Sequence, residues 1–451
     1  MTTPHYYLLS LGCAKNSVDS EGMGQLLGRA GYVGVTDPAA ADLLIVNTCG
    51  FIAPAREESL EALRELAAGK RAEQKLVAAG CLAQLAGAEL AAQVPGLDGV
   101  LGTRRWMDVL NFVHQFARGA APQPLVHLPA EALTVGQDEK GVLRAAVQGA
   151  SAYLKIADGC RRPCAFCAIP RIKGTAVSRP AERIVAEALR LASMGVKEIV
   201  LIAQDTSDYG RDWGEKDGLA KLLEGLAAAV PDLPWIRVMY VYPGYITPRL
   251  METMTRHRQI LPYLDIPLQH AHPAVLKRMR RPARVDRVRA TIGRMRALMP
   301  DMSIRTTFIV GYPGETEAEF QALLDFLEEM QFDRVGCFSY WPEPNTPAAA
   351  LPNPIPNEVK AERHERLMKL QQEISLARNL AQVGRSLQVL IEGQGEGVSV
   401  GRSYRDAPEI DGLVILAEEL PVGAMRPVRI TGALVYDLIG RALLEPGEAP
   451  L

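Results

Sequence analysis

Tyr153-Leu-Lys-Ile-Ala-Asp-Gly-Cys-Arg-Arg-Pro-Cys-Ala-Phe-Cys167 decides the fold. It opens on a short apolar run, Tyr153–Ala157, of the kind expected of a buried parallel strand, and passes directly into Cys160-x3-Cys164-x2-Cys167. Five more such runs follow: Glu198–Ala203, Trp235–Val241, Tyr263–Pro267, Ser303–Val310 and Arg334–Phe338. Helical stretches separate them, among them Ala181–Met194, Arg284–Leu298 and Thr316–Met330. Six strand–helix units predict an open (β/α)6 barrel rather than a full eight, with the cysteine run at the C-terminal mouth, where such barrels carry chemistry. Six prolines between Pro342 and Pro356 end the rhythm, and a charged connecting helix over about 357–382 follows.

The flanks differ from this core. Before it, Tyr6–Leu11, Leu43–Val46 and Lys75–Ala79 alternate with helical stretches such as Ala55–Ala68, which predicts a doubly wound parallel sheet. The proline-bearing stretch from Ala120 to Lys140 reads as a loop. After the core, Leu387-Gln-Val-Leu-Ile391 and the glycines from Gly393 to Gly423 predict a small all-β barrel. The chain therefore divides into 1–120, a linker 121–145, a core 146–383 and a β-barrel 384–451.

With 451 residues, 48% apolar and 23% charged, this is the composition of a globular chain, not of a disordered or coiled-coil one. No apolar run reaches the ~18 residues of a membrane span, and the first residues lack a signal-peptide pattern, so the chain reads as cytoplasmic. The net charge of -2 hides a division. Residues 1–145 carry 12 Lys/Arg against 15 Asp/Glu, residues 146–385 carry 33 against 27, and residues 386–451 carry 5 against 10.

Seven cysteines are too few for a disulfide scaffold, and their spacing suggests metal chemistry. Three thiolates within eight residues can wrap one soft-metal centre. Structural zinc is the plain alternative, but it usually closes with four ligands, and no His or Cys follows nearby. Three ligands suit a 4Fe-4S cluster with one iron left open. Cys13, Cys49 and Cys81 each fall just past the carboxyl end of a predicted parallel strand, where α/β sheets gather ligand sites. They can converge on one point, or be three unrelated buried thiols. Cys337, inside an apolar run, is assigned to packing.

The Cys160–Cys167 run at the first barrel strand resembles the radical S-adenosylmethionine (SAM) superfamily. The resemblance implies that SAM binds the open iron and is split by one electron to a 5′-deoxyadenosyl radical. Phe166 matches an aromatic beside the adenine, or simply packs. Two cysteine trios in this order, within Ser10-Leu-Gly-Cys-Ala-Lys-Asn16, Asn47-Thr-Cys-Gly50, Ala79-Gly-Cys81 and Gly159–Cys167, resemble the methylthiotransferase family over essentially the whole chain. That implies a second 4Fe-4S cluster on Cys13, Cys49 and Cys81, and a carboxy-terminal barrel of the TRAM type. Phe308-Ile-Val-Gly-Tyr-Pro-Gly-Glu315 resembles the glycine motif that approaches adenine, through Gly311 and Gly314. Gln204, Gln269 and Arg305, with Asp205, lie where SAM polar groups could be held, and Arg305 could pair with the SAM carboxylate. The basic stretch from Lys277 to Arg289 reads as a solvated helix face.

Within this family the substrate is either a tRNA adenosine or an aspartate of small-subunit ribosomal protein twelve. Leu268-Gln-His-Ala271, Leu276-Lys-Arg-Met-Arg-Arg281 and Gly401–Gly412 look like the protein-modifying branch. A barrel built for RNA should be basic; residues 386–451 are acidic and hold no lysine. An acidic surface suits a basic ribosomal protein and disfavours tRNA. Glu409 and Asp411, in a loop bounded by Pro408 and Gly412, are the expected docking acids. The resemblance also implies an electron donor such as flavodoxin and a sulfur donor of unspecified kind. A non-catalytic iron–sulfur or zinc protein is the competing class.

Overall fold

The computed structural model describes residues 3–117, 124–129 and 140–443. Residues 1–2, 118–123, 130–139 and 444–451, which include parts of the expected linker and of the β-barrel's acidic end, lie outside the described residues.

The amino-terminal unit is a six-stranded parallel sheet of His5–Ser10 (β1), Val33–Gly34 (β2), Leu43–Thr48 (β3), Lys75–Ala79 (β4), Gly99–Gly102 (β5) and Leu125–His127 (β6). Its strand order is β2-β1-β3-β4-β5-β6. β3 is buried along its whole length, as a parallel strand covered on both faces must be. The order reverses between β1 and β3, which makes their carboxyl ends the switch point where doubly wound sheets bind ligands. β6 lies within the stretch read as a loop: three residues beside prolines carry no periodicity, and pairing with β5 makes them a strand.

The core holds the six expected parallel strands plus an antiparallel edge strand. Ala145–Gln148 (β7) forms a hairpin with Ser151–Lys155 (β8), and a short ribbon of Ala157–Asp158 (β9) and Val177–Ser178 (β10) follows. The parallel set continues through Glu198–Ile202 (β11), Trp235–Val238 (β12), Ile260–Asp265 (β13), Ser303–Val310 (β14) and Arg334–Ser339 (β15). β12 stops short of the expected Val241 because Tyr240 takes φ 61°, a left-handed conformation rare for a bulky residue. The helix Glu317–Met330 starts where Thr316 and Glu319 cap it reciprocally, the Thr316 hydroxyl accepting from the Glu319 amide at 3.2 Å. The connecting helix spans Asn357–Leu380. Cys337 is buried in β15, as packing requires.

Ser386–Gly395 (β16), Val398–Ser403 (β17), Val414–Leu416 (β18), Met425–Ala433 (β19) and Leu438–Ala442 (β20) close into a five-stranded barrel. This barrel is tied to the amino-terminal ends of the core strands by buried ion pairs. Arg402 meets Glu198 at 2.6 Å, Arg334 meets Asp406 at 2.6 Å and Arg405 meets Asp333 at 3.1 Å. Its Tyr404–Gly412 loop enters the open core: Ala407 and Leu390 pack with Tyr153, Val200 and Tyr263 in one apolar cluster. A second tie joins the amino-terminal unit to the core. Asp19, on the helix Ala14–Arg29, accepts from Lys173 at 2.8 Å and pairs with Lys155, while Arg144 and Lys155 pair with Asp158. These five charges are all buried.

Candidate functional site

All six cysteines of the two trios line one cavity of about 460 Å³ between the amino-terminal unit and the core. Cys13, Cys49 and Cys81 stand past the carboxyl ends of β1, β3 and β4. Gly12, at φ 92°, lets the first of these loops close on the second, since a Cβ there would lie 2.8 Å from the Cys49 Cβ. Asn16 ties the trio together: its side-chain amide donates to the Leu11 and Thr48 carbonyls at 2.9 and 3.1 Å, and its Oδ1 lies 3.6 Å from the Cys81 Sγ. Cys160, Cys164 and Cys167 sit in the loop between β9 and β10. Polar hydrogens point at this trio, from the Arg162 amide to Cys160 at 3.5 Å, the Ile169 amide to Cys167 at 3.5 Å and the Arg281 Nη1 to Cys164 at 3.6 Å.

Electrostatics separate the thiols. Burial pushes Cys81 and Cys167 up to about 12 and Cys160 up to about 11, and a coordinating metal would reverse this by deprotonating the thiol outright. Burial also opposes ionisation of Cys13, but Lys15, the Asn16 and Lys15 amides, and Lys173 outweigh it and hold that thiol below its ordinary value. The accessible face of Cys13 opens onto the cavity.

Of the residues expected to meet SAM, Phe166, Gln204, Gln269 and Arg305 line the cavity, as does Asp205. Gln204 keeps a buried Oε1 with no hydrogen-bond partner in the protein. Gln269 has φ 75° and bridges to Phe308 of β14. Phe166 packs against the cluster of Val275, Met279, Tyr312 and Tyr340. Arg305 is already engaged, 3.1 Å from Asp265 and 3.3 Å from Asp411, so it is not a free cation awaiting a carboxylate. Gly311 and Gly314 do have positive φ, but they are not in the cavity lining. A Cβ on Gly311 would clash with Lys360 of the connecting helix, and the Gly314 amide donates to the Asn353 carbonyl at 2.8 Å. Gly311 thus allows close packing of the connecting helix, and Gly314 bonds the loop that precedes it.

Of the two docking acids, Asp411 points elsewhere than expected. Asp411 faces inward, its side chain 1% exposed; it accepts from the Tyr263 hydroxyl at 2.7 Å and the Ala407 amide at 2.9 Å besides pairing with Arg305. Glu409 is exposed but tethered, accepting from Gln148 at 3.0 Å and from the Tyr153 hydroxyl at 3.2 Å. A loop bounded by proline and glycine can point either way, and here the open core supplies partners for its charges. The basic stretch is likewise only partly solvated: Arg278 is paired with Glu319, while Arg281 reaches Cys164.

Sequence reasoning passed over several cavity residues. Lys15 and Asn16 were in view, beside Cys13 in the quoted motif, and Arg162 lies inside the cysteine run. Arg162 pairs with Asp205 at 2.7 Å and stacks on Tyr242 and Tyr245. Lys173, Tyr240, Asp265 and Thr307 also line the wall. Three large apolar side chains there are strongly exposed, one from each unit: Phe51 at 43%, Phe338 at 53% and Ile410 at 44%.

Known proteins share this arrangement. Residues 154–327 match the model of the Radical SAM superfamily, residues 5–102 that of Uncharacterized protein family UPF0004, and residues 383–443 that of the TRAM domain. Among solved structures, the radical S-adenosylmethionine methyltransferase TsrM from Kitasatospora setae, with cobalamin and a [4Fe-4S] cluster bound, has a TM-score of 0.56 at 14% identity. That match covers 89% of this chain and 81% of that one, and likens the folds. The ribosomal protein uS12 methylthiotransferase RimO of Chloroflexus aurantiacus is 51% identical, over 97% of this chain and 99% of its own. The protein of that name from Roseiflexus sp. is 49% identical over 98% of each chain, and the one from Synechocystis sp. 44% over 97% of each. Such identity along the whole length, with three matching units in the same order, places the chain in the ribosomal protein uS12 methylthiotransferase (RimO) family of radical SAM proteins.

Proposed function

We propose that this chain is a radical SAM methylthiotransferase that replaces a hydrogen on the β-carbon of an aspartate of ribosomal protein uS12 by a methylthio group. The observation that carries this reading is the opening of both cysteine trios onto a single cavity. The amino-terminal unit, 1–120, would hold one 4Fe-4S cluster on Cys13, Cys49 and Cys81, and the core, 146–383, the other on Cys160, Cys164 and Cys167. The donor sets fit: three soft ligands each, with cations and polar hydrogens aimed at the sulfurs to offset the charge of the thiolates. Among the described residues no three His, Cys, Asp or Glu side chains converge at the spacing of a single metal ion, and cubane ligands, bound to different irons, stand farther apart than the sulfurs around one zinc. When bound, such clusters supply one-electron reduction of SAM on the core side and a nucleophilic sulfide on the other.

The chain's own residues bind and orient. Gln204 and Gln269, on one wall of the cavity, would offer polar contacts to SAM. Phe166 gives the adenine an apolar face. Arg162, held by Asp205 and two tyrosine rings, fixes the Cys160–Cys164 segment. The Tyr404–Gly412 loop closes the floor of the core and keeps bulk water from the cavity. An external one-electron donor, of flavodoxin type in this reading, and a sulfur donor complete the requirements. The β-barrel's acidity and the uniform naming of the relatives favour a ribosomal protein over tRNA.

Mass spectrometry of uS12 from cells with and without this protein tests the assignment. A mass increase of one methylthio group in place of one hydrogen, at an aspartate and only when the protein is present, is expected. Unmodified uS12 together with a methylthiolated tRNA adenosine overturns it.

A further inference from the structure

Five cations line the cavity: Lys15, Arg162, Lys173, Arg281 and Arg305. Four have fixed hydrogen-bond partners. Arg162 is held by Asp205 and Asp208, Lys173 by Asp19 and Thr103, Arg305 by Asp265 and Asp411, and Arg281 by the Pro267 carbonyl. The Lys15 ammonium group alone, among the described residues of this set, has neither a hydrogen bond nor an ion pair. Its Nζ rests 3.1 Å from the centroid of the Tyr240 ring. Tyr240 presents that face from the left-handed backbone position that ends β12, a conformation that persists only where the surroundings impose it. A cation–π contact of this kind positions an ammonium group while leaving its N–H donors unsatisfied. Lys15 is also two residues from Cys13, and so lies beside the amino-terminal trio while its ammonium group reaches Tyr240, past the carboxyl end of the core strand β12.

An aspartate side chain entering past the apolar side chains Phe51, Phe338 and Ile410 would leave water for a partly apolar wall, and an unpaired carboxylate cannot afford that. It needs a cation whose N–H donors are not already taken by another acceptor. We infer that Lys15 is the seat of the substrate carboxylate: its ammonium group, steered by Tyr240, binds the side chain of the target aspartate and holds the β-carbon in the space between the two cysteine trios. This rests on the proposed reading that the substrate is an aspartate of a protein, and makes Lys15 a specificity-determining residue for an acidic side chain.

The test compares binding of two substrate proteins, uS12 with its target aspartate and uS12 with asparagine there, to the wild-type holoenzyme and to the Lys15→Met and Lys15→Arg holoenzymes. Wild type is expected to bind the aspartate form roughly ten- to a hundredfold more tightly, the range for a charge-assisted hydrogen bond out of water. Lys15→Met should bind both forms equally, near the asparagine level, and Lys15→Arg should recover part of the preference. Iron content, measured on each preparation, verifies that both clusters are loaded. A Lys15→Met holoenzyme that keeps the wild-type preference overturns the inference, as does one that also loses SAM binding, which would make Lys15 a ligand of SAM. A wild-type enzyme that does not modify uS12 at all fails the functional reading instead, and is seen before any variant is made.

Discussion

Cys160, Cys164 and Cys167 come from one loop, within eight residues, whereas Cys13, Cys49 and Cys81 come from three strand ends separated by 36 and 32 residues. The first trio is held by local geometry, so its ligands exist as a set as soon as β8 and β9 form. The second exists only when a parallel sheet has assembled in the order β1-β3-β4 and its switch point is in place. One site is thus a property of a segment, the other of a fold. Their meeting in one cavity depends on a third feature, the buried charge network of Asp19, Lys155, Lys173, Asp158 and Arg144, which locks the sheet to the core.

The largest expected effects separate the two trios. Replacing Cys160, Cys164 and Cys167 together by Ala should leave about four of eight irons per chain and abolish SAM cleavage. Replacing Cys13, Cys49 and Cys81 should also leave about four irons, yet keep SAM cleavage while abolishing methylthio transfer. Iron analysis and 5′-deoxyadenosine assay check both. If either triple variant keeps all its iron, the comparison collapses, because the trios would not be two separate ligand sets.

The network that joins them should come next in size. Lys173→Met leaves Asp19 buried with one cation fewer, and breaking a buried pair from one side costs about 3–5 kcal/mol. Denaturant unfolding should show this loss. Because Lys173 spans from the core loop to the helix after Cys13, methylthio transfer should fall more than SAM cleavage in the folded fraction. Equal losses would show that the network supports the core alone.

A smaller effect belongs to the barrel dock. Burial opposes ionisation of Glu198, but Arg237 and Arg402 outweigh it and bring its carboxyl down to about 2. A carboxyl depressed below its unfolded value of about 4.3 contributes stability that is complete above that pH and is lost as pH falls towards 2. The contribution is about 2–3 kcal/mol. An acid titration of wild type should lose stability in that window, and Glu198→Gln should flatten the pH dependence there. An unchanged profile in the variant would remove the ion pair as the cause.

The trio in the loop was legible because its spacing is itself the signal, and the six parallel strands of the core were legible because apolar runs alternate with amphipathic helices. The dispersed trio could be read only through its position past predicted strands. Lys15 over Tyr240 and the Asp19 links of the ion network left no trace in any single segment, since they join residues more than a hundred positions apart in the chain. β6 and β7 escaped for a different reason: strands of three and four residues are too short to show a period.

Glu409 and Asp411 carry the same lesson into the smallest prediction. Two positions apart in one loop, they face opposite environments: Asp411 is enclosed between Tyr263, Arg305 and the Ala407 amide, while Glu409 lies at the rim against Gln148 and the Tyr153 hydroxyl. Glu409→Gln keeps an acceptor for the tyrosine and should cost no more than about 0.5–1 kcal/mol, the net worth of an ordinary hydrogen bond. Asp411→Asn removes a buried charge from beside Arg305 and should cost clearly more, because Arg305 would then rely on Asp265 alone. Thermal unfolding of the two single variants, side by side, reads the difference directly. Equal, small shifts would mean that the loop does not seal the core floor, and the Tyr404–Gly412 segment would return to being a surface on which a ribosomal protein could dock.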